Sequence, residues 1–192
     1  MGNQFCTHKI ILASGSPRRQ QFLRDLQFDF EIRLKEVAEI YPDHLQGVEI
    51  TNYLAQLKAN AFESTLDDQE VLLTSDTIVW FENKALGKPK DYEDAFAMLK
   101  AMSGKTHEVI TSVCFKTNRK TETVFEVTKV TFKNLSDEVI HHYLENYKPF
   151  DKAGAYGIQE WIGLIGIAKI EGSYTNVVGM PTDVVFEYLT NL

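Results

Sequence analysis

The pattern of apolar runs predicts a mixed α/β or α+β fold, and three observations carry that expectation. Strand-like and helix-like segments follow one another along most of the chain. The segment 71–81 is almost unbroken in apolar and β-branched residues, as a central strand is. Two further strand-like stretches, 107–117 and 121–133, flank the turn Asn118-Arg119-Lys120 as the arms of a long hairpin would.

The elements follow in order. Residues 10–13 form a short buried strand, and Phe22, Leu23 and Leu26 mark one face of the helix after it. From 28 to 34, Phe28, Phe30, Ile32 and Leu34 alternate with polar residues, which predicts a strand with one buried face. A turn-rich stretch around 42–47 leads to a helix over 50–62, with Ile50, Leu54, Leu57 and Ala61 on one stripe. After the central strand, 82–85 reads as a turn and 87–90 as a loop. Asp91 is placed to cap the next helix, with Glu93 and Asp94 favourable in its first turn and Gly104 at its end. Ser136, Asp137 and Glu138 open a helix after the hairpin, 161–170 is strand-like, and 182–192 forms a closing helix.

With 192 residues the chain is long enough for one domain or two small lobes, and no repeat or long linker divides it. A hydrophobic fraction of 44% beside 24% charged residues is that of a soluble globular protein. The net charge of −7 argues against nucleic-acid binding through overall charge, while leaving room for a local basic site. Cys6 and Cys114 make no disulfide framework, and neither belongs to a C-x-x-C pair. The first apolar run is far too short to span a bilayer and no signal-peptide pattern precedes it, so a reduced, cytoplasmic setting without membrane attachment is expected.

Chemistry concentrates in a few places. Ser14-Gly15-Ser16-Pro17-Arg18-Arg19 lies at a strand-to-helix junction, where free backbone amides and the positive end of the helix dipole meet hydroxyls and guanidinium groups. That combination suits phosphate. Ser16 as a cap with Pro17 at the first helical position explains half of it as plain helix chemistry, but not two arginines in a first turn that disfavours cations. Asp76 interrupts the apolar strand within Thr74-Ser75-Asp76-Thr77, and a buried aspartate needs a cationic partner, whether for structure or for function. Lys58 adjoins the apolar stripe of its helix, and Lys88 sits between Gly87 and Pro89; either could be a ligand contact or a solvated lysine. The segment 151–157 is small and glycine-rich. There is no P-loop, no G-x-G-x-x-G, no H-E-x-x-H at His107-Glu108 and no nucleophile elbow.

Taken together, these blocks resemble a known family. S-G-S-P-R-R follows the first strand, S-D-T-I-V lies in a central one, and L-G-K-P-K-D precedes a helix. M-S-G-K-T-H-E-V, P-F-D-K-A-G-A-Y-G-I-Q and G-S-Y-T-N-V-V-G-M-P then follow in order. From residue 10 to about 189 this resembles the Maf family of nucleoside triphosphate pyrophosphatases. The resemblance implies an α/β fold like that of the inosine triphosphate pyrophosphatases, a mixed sheet with flanking helices and two lobes around a central cleft, as one catalytic domain over 1–192. It implies a nucleoside triphosphate as partner, a divalent metal, usually Mg²⁺, and a homodimer as one assembly open to the chain.

Residue by residue, Asp76 matches the family's proton acceptor. Ser14, Arg18 and Arg19 match the phosphate-binding junction, Lys58 and Lys88 match basic residues of the cleft, and Glu39 matches an acidic one that with Asp76 would meet the metal. Arg18, Thr77 and Gln159 match the three positions that mark specificity, in the combination of the branch acting on dTTP and UTP. Two places depart from the family pattern: Glu160 stands where glycine is expected, and Thr182-Asp183 stand where leucine is usual. A regulatory nucleotide-binding protein of cell division or septum formation, and a pyrophosphatase for 7-methyl-GTP or another purine, are the competing readings.

Overall fold

The computed structural model describes residues 5–62 and 66–192. It contains a mixed sheet of seven strands with helices beside it, in the order β2 (Phe30–Ile32), β1 (Lys9–Leu12), β3 (Glu70–Phe81), β5 (Thr106–Lys116), β6 (Thr121–Phe132), β7 (Ile167–Glu171), with β4 (Lys84–Leu86) paired to β3. The chain divides into two compact units, the first comprising Met1–Asp76, Thr111–Glu126 and Gly179–Leu192, the second Thr77–Ile110 and Val127–Val178.

The first unit is built on parallel pairing. β1 (Lys9–Leu12) runs parallel to both β2 (Phe30–Ile32) and β3 (Glu70–Phe81). Side chains alternate across a strand, and here both faces are buried. Ile10, Leu12, Val71, Leu73, Val113 and Phe115 join one core, packed with Leu23 of α1 (Pro17–Asp25) and with Val185 and Leu189 of α7 (Thr182–Thr190). Ile11, Leu72 and Cys114 face the other way, onto Ala55 and Ala59 of α2 (Val48–Asn60). Polar bonds help fix α2 on its strand: Thr74 Oγ1 donates to the Ala55 carbonyl at 2.6 Å, within a wholly buried contact.

Two expectations fail in this unit. The strand predicted over 28–34 shortens to β2, and Ile32 and Leu34 are 42% and 62% exposed rather than buried. β2 is the edge strand, its last bond to β1 running from the Arg33 amide to the Leu12 carbonyl, so beyond it no sheet remains to cover the alternation. Ser16 does begin α1 with Pro17 next to it, yet its side chain makes no cap bond. The hydroxyl that serves this junction is Ser14 Oγ, which accepts from the Ser16 amide at 3.3 Å.

In the second unit the end of β3 turns back into β4 (Lys84–Leu86) as an antiparallel hairpin. The turn predicted over 82–85 is really two residues, Glu82 and Asn83, with φ of 49° and 61°, the left-handed pair that a tight hairpin demands. α3 (Tyr92–Met102) is capped as expected, Asp91 Oδ1 accepting from the Asp94 amide at 2.8 Å. The arms of the long hairpin are β5 (Thr106–Lys116) and β6 (Thr121–Phe132), and α4 (Asp137–Tyr147) starts at Ser136, whose side chain caps it. These elements enclose one core of Val79, Phe81, Leu99, Met102, Val130, Phe132, Ile140 and Tyr143.

The stretch 161–170 departs from the strand predicted for it. It begins as α5 (Trp161–Gly166) and only then becomes β7 (Ile167–Glu171), antiparallel to β6. A short apolar run does not reveal its own period, and here a glycine decides. A Cβ on Gly163 would lie 1.7 Å from the Ile158 carbonyl oxygen, so only glycine lets the backbone coil back that closely. A short helix, α6 (Tyr174–Val178), follows β7.

Candidate active site

The strand-to-helix junction after β1 carries a firmly held arginine, Arg19. Arg19 Nε donates to the Gly179 carbonyl at 2.9 Å, and Nη1 donates to the Ser75 carbonyl at 2.9 Å and to Ser14 Oγ at 3.4 Å. Three acceptors from three chain segments thus fix the plane of one guanidinium. Burial lowers its pKa from the ordinary arginine value, with the Asp76 charge opposing that shift and Arg18 adding to it. An arginine stays protonated regardless, so the junction holds a fixed, partly buried cation. Ser14 is itself buried, and Arg18 next to Arg19 is half-buried.

Asp76 lies in β3 and is only 6% exposed. Its cationic partner is Lys58 of α2, with Nζ 2.7 Å from Asp76 Oδ1 and 3.0 Å from Glu39 Oε1. The same ammonium reaches the Ser75 carbonyl at 3.4 Å. Lys58, placed beside the apolar stripe by its sequence, therefore does not reach out to solvent; it bridges two carboxylates and a strand carbonyl. The Ser75 peptide joins the two clusters, because its oxygen accepts from Arg19 and from Lys58.

Asp76 and Glu39 offer an oxygen-only donor pair. Mg²⁺ is commonly held by one or two carboxylates, with water and phosphate oxygens completing its shell, and this pair fits that pattern. Among the described residues no group of three or more His, Cys, Asp or Glu gathers as a metal site.

Ser14, Arg18, Arg19, Glu39, Lys58 and Asp76 all belong to the first unit. Thr77, Lys88 and Gln159 belong to the second. Thr77 is half-buried on β3, directly after Asp76. Lys88 is exposed in a bend whose Gly87 carbonyl accepts from the Gly154 amide at 3.0 Å. Gln159 is exposed at the end of the loop before α5. Sequence reasoning missed the two backbone carbonyls that hold Arg19. A glycine at 179, in V-V-G-M-P, is the signal that could have drawn attention to one of them; its φ is +123°.

No helix among the described residues is long and apolar enough to cross a membrane. Comparison with known proteins then adds to the geometry. The Staphylococcus aureus Ham1 protein superposes with a TM-score of 0.48 at 13% identity, over 95% of this chain and 98% of that one. A protein of Flavobacterium johnsoniae named dTTP/UTP pyrophosphatase is 70% identical over 96% of this chain and 95% of its own length. One of the same name from Flavobacterium psychrophilum is 66% identical over 98% and 96%. The family described as Maf-like protein matches residues 9–192, and with relatives this similar along their whole length the chain belongs to the Maf family.

Proposed function

We propose that this protein hydrolyses dTTP and UTP to the monophosphate and pyrophosphate, clearing nucleotides from the pool. The 70% identity to a dTTP/UTP pyrophosphatase supports the substrate class. The observation that carries the chemistry is the grouping of Ser14, Arg19, Lys58, Asp76 and Glu39 around the Ser75 peptide.

In this reading a water oxygen attacks the α-phosphorus and the bond to the bridging oxygen breaks, so that pyrophosphate leaves. Phosphoryl transfer of this kind depends mostly on positioning and on charge stabilisation. Arg18, Arg19, Lys58 and Lys88 offset the charge of the triphosphate, and Ser14 with the junction amides orients it. Asp76 takes the proton of the attacking water. A divalent cation held by Asp76 and Glu39 would supply further stabilisation of the developing phosphate charge. Arg18, Thr77 and Gln159 read the base; the Gln159 carboxamide has both an acceptor and a donor, which suits the N3–H and a carbonyl of uracil or thymine.

The deciding experiment measures pyrophosphate release by the purified protein with Mg²⁺ from dTTP, UTP, 7-methyl-GTP and ITP. Turnover of dTTP and UTP with the two purines at least about tenfold slower in kcat/KM is expected, the factor that one base-directed hydrogen bond supplies. Faster turnover of either purine would sink the pyrimidine reading, and binding of all four without turnover would sink the enzyme reading.

A further inference from the structure

Glu160 follows Gln159 directly and is held from two sides. Tyr143 of α4 donates its phenol proton to Glu160 Oε2, while Lys152 Nζ lies 3.0 Å from Oε1. Tyr143 is 0% exposed, and the Gly157 amide donates to its hydroxyl oxygen at 3.0 Å, so phenol, carboxylate and loop backbone form one connected network. Burial and the neighbouring Glu160 push the Tyr143 hydroxyl above the ordinary tyrosine range, so it remains a donor to that carboxylate.

Gly157 leaves room for both this carboxylate and the Gln159 amide. A Cβ there would lie 2.9 Å from Gln159 Nε2, 2.9 Å from Glu160 Cδ and 3.1 Å from Glu160 Oε2. Amide nitrogen and carboxylate therefore both border the space above the bare Gly157 α-carbon. A carboxylate only accepts hydrogen bonds. It favours the NH₂ end of a neighbouring amide and repels the carbonyl end.

This matters because a glutamine amide is ambidextrous. Turned one way it accepts from the N3–H of uracil or thymine; turned the other way it donates to the N3 lone pair of cytosine. The residue type alone does not separate these bases. We propose that Glu160, held by Tyr143 and Lys152, is a positioning residue that sets the polarity of the Gln159 amide, keeping Oε1 free to accept and so selecting bases that carry N3–H over cytosine. The inference rests on the reading that Gln159 meets the base.

The test compares kcat/KM for UTP and CTP in the wild type and in the Glu160→Gln, Tyr143→Phe and Gln159→Ala variants. Circular dichroism and thermal melting serve as folding checks. Glu160→Gln removes the charge and keeps the size. The UTP-to-CTP ratio is expected to fall about tenfold, mostly through a lower KM for CTP, as loss of one orienting interaction would give. Tyr143→Phe, which frees one side of the carboxylate, is expected to move the ratio in the same direction by a smaller factor; it decides alone should Glu160→Gln not fold. An unchanged ratio in these variants, with a changed ratio in Gln159→Ala, overturns the role of Glu160 while leaving Gln159 on the base. An unchanged ratio in Gln159→Ala overturns the base contact itself, and this inference with it.

Discussion

Asp76 shows why a single carboxylate in an apolar strand is informative. Burying its charge unpaired would be strongly unfavourable, and the molecule compensates with Lys58 at 2.7 Å, whose ammonium is shared with a second carboxylate, Glu39, at 3.0 Å. Asp76→Asn keeps the size and a hydrogen-bond acceptor for Lys58 but removes the base. Pyrophosphate release from UTP is expected to drop by about 10²- to 10⁴-fold in kcat, the usual contribution of a positioned general base, with KM changed far less. Near wild-type kcat in that variant would remove Asp76 from proton transfer.

At the scale of elements, what the sequence disclosed and what it hid follow from range. Caps and central strands are local, so Asp91, Ser136 and the apolar run of β3 were legible from their neighbours. Asp76 and the arginine junction stood out because each breaks the pattern of its own element, whereas Lys58, beside an apolar stripe, reads as an ordinary snorkelling lysine until the fold brings it to Asp76. The carbonyls of Ser75 and Gly179 could not stand out, since every residue has one and only the tertiary fold brings those two to Arg19. The missed helix α5 has a backbone cause that an apolar run does not display: Gly163 tolerates the carbonyl of Ile158, five residues earlier, where any side chain would collide. Gly163→Ala puts a methyl 1.7 Å from that backbone oxygen, with no flexible atom to yield. A loss of about 3 kcal/mol or more is expected, read as a lowered urea midpoint at unchanged slope. A midpoint within experimental scatter of the wild type would show that α5 can form without glycine.

At the scale of the whole molecule, acid acts on the two units in different pH windows. His107 of the second unit is 2% exposed, its Nε2 2.7 Å from the Tyr156 hydroxyl, and burial lowers its pKa from 6.5 to about 4. Between those values the unfolded chain binds a proton that the native imidazole refuses, so stability falls as pH drops through that window. The first unit has its own acid-sensitive group in Glu70, 4% exposed and gripped by Arg33 at 2.5 and 2.9 Å; this pairing pushes its carboxyl down to about 2. Here the folded pKa is again below the unfolded one, so the contribution is complete above pH 4.5 and is lost as pH falls from there toward 2. Both tryptophans, Trp80 and Trp161, lie in the second unit, so their fluorescence reports the earlier window. From pH 7 to pH 5 the His107 shift corresponds to a loss of about 2 kcal/mol, visible as a lower urea midpoint in tryptophan fluorescence. His107→Gln keeps a side-chain nitrogen for Tyr156 but does not titrate; it is expected to lie below the wild type at pH 7 and to stay nearly flat down to pH 5. A wild-type midpoint that does not move between these pH values, or a His107→Gln midpoint that falls just as steeply, would exclude His107 as the group that couples this unit to acid.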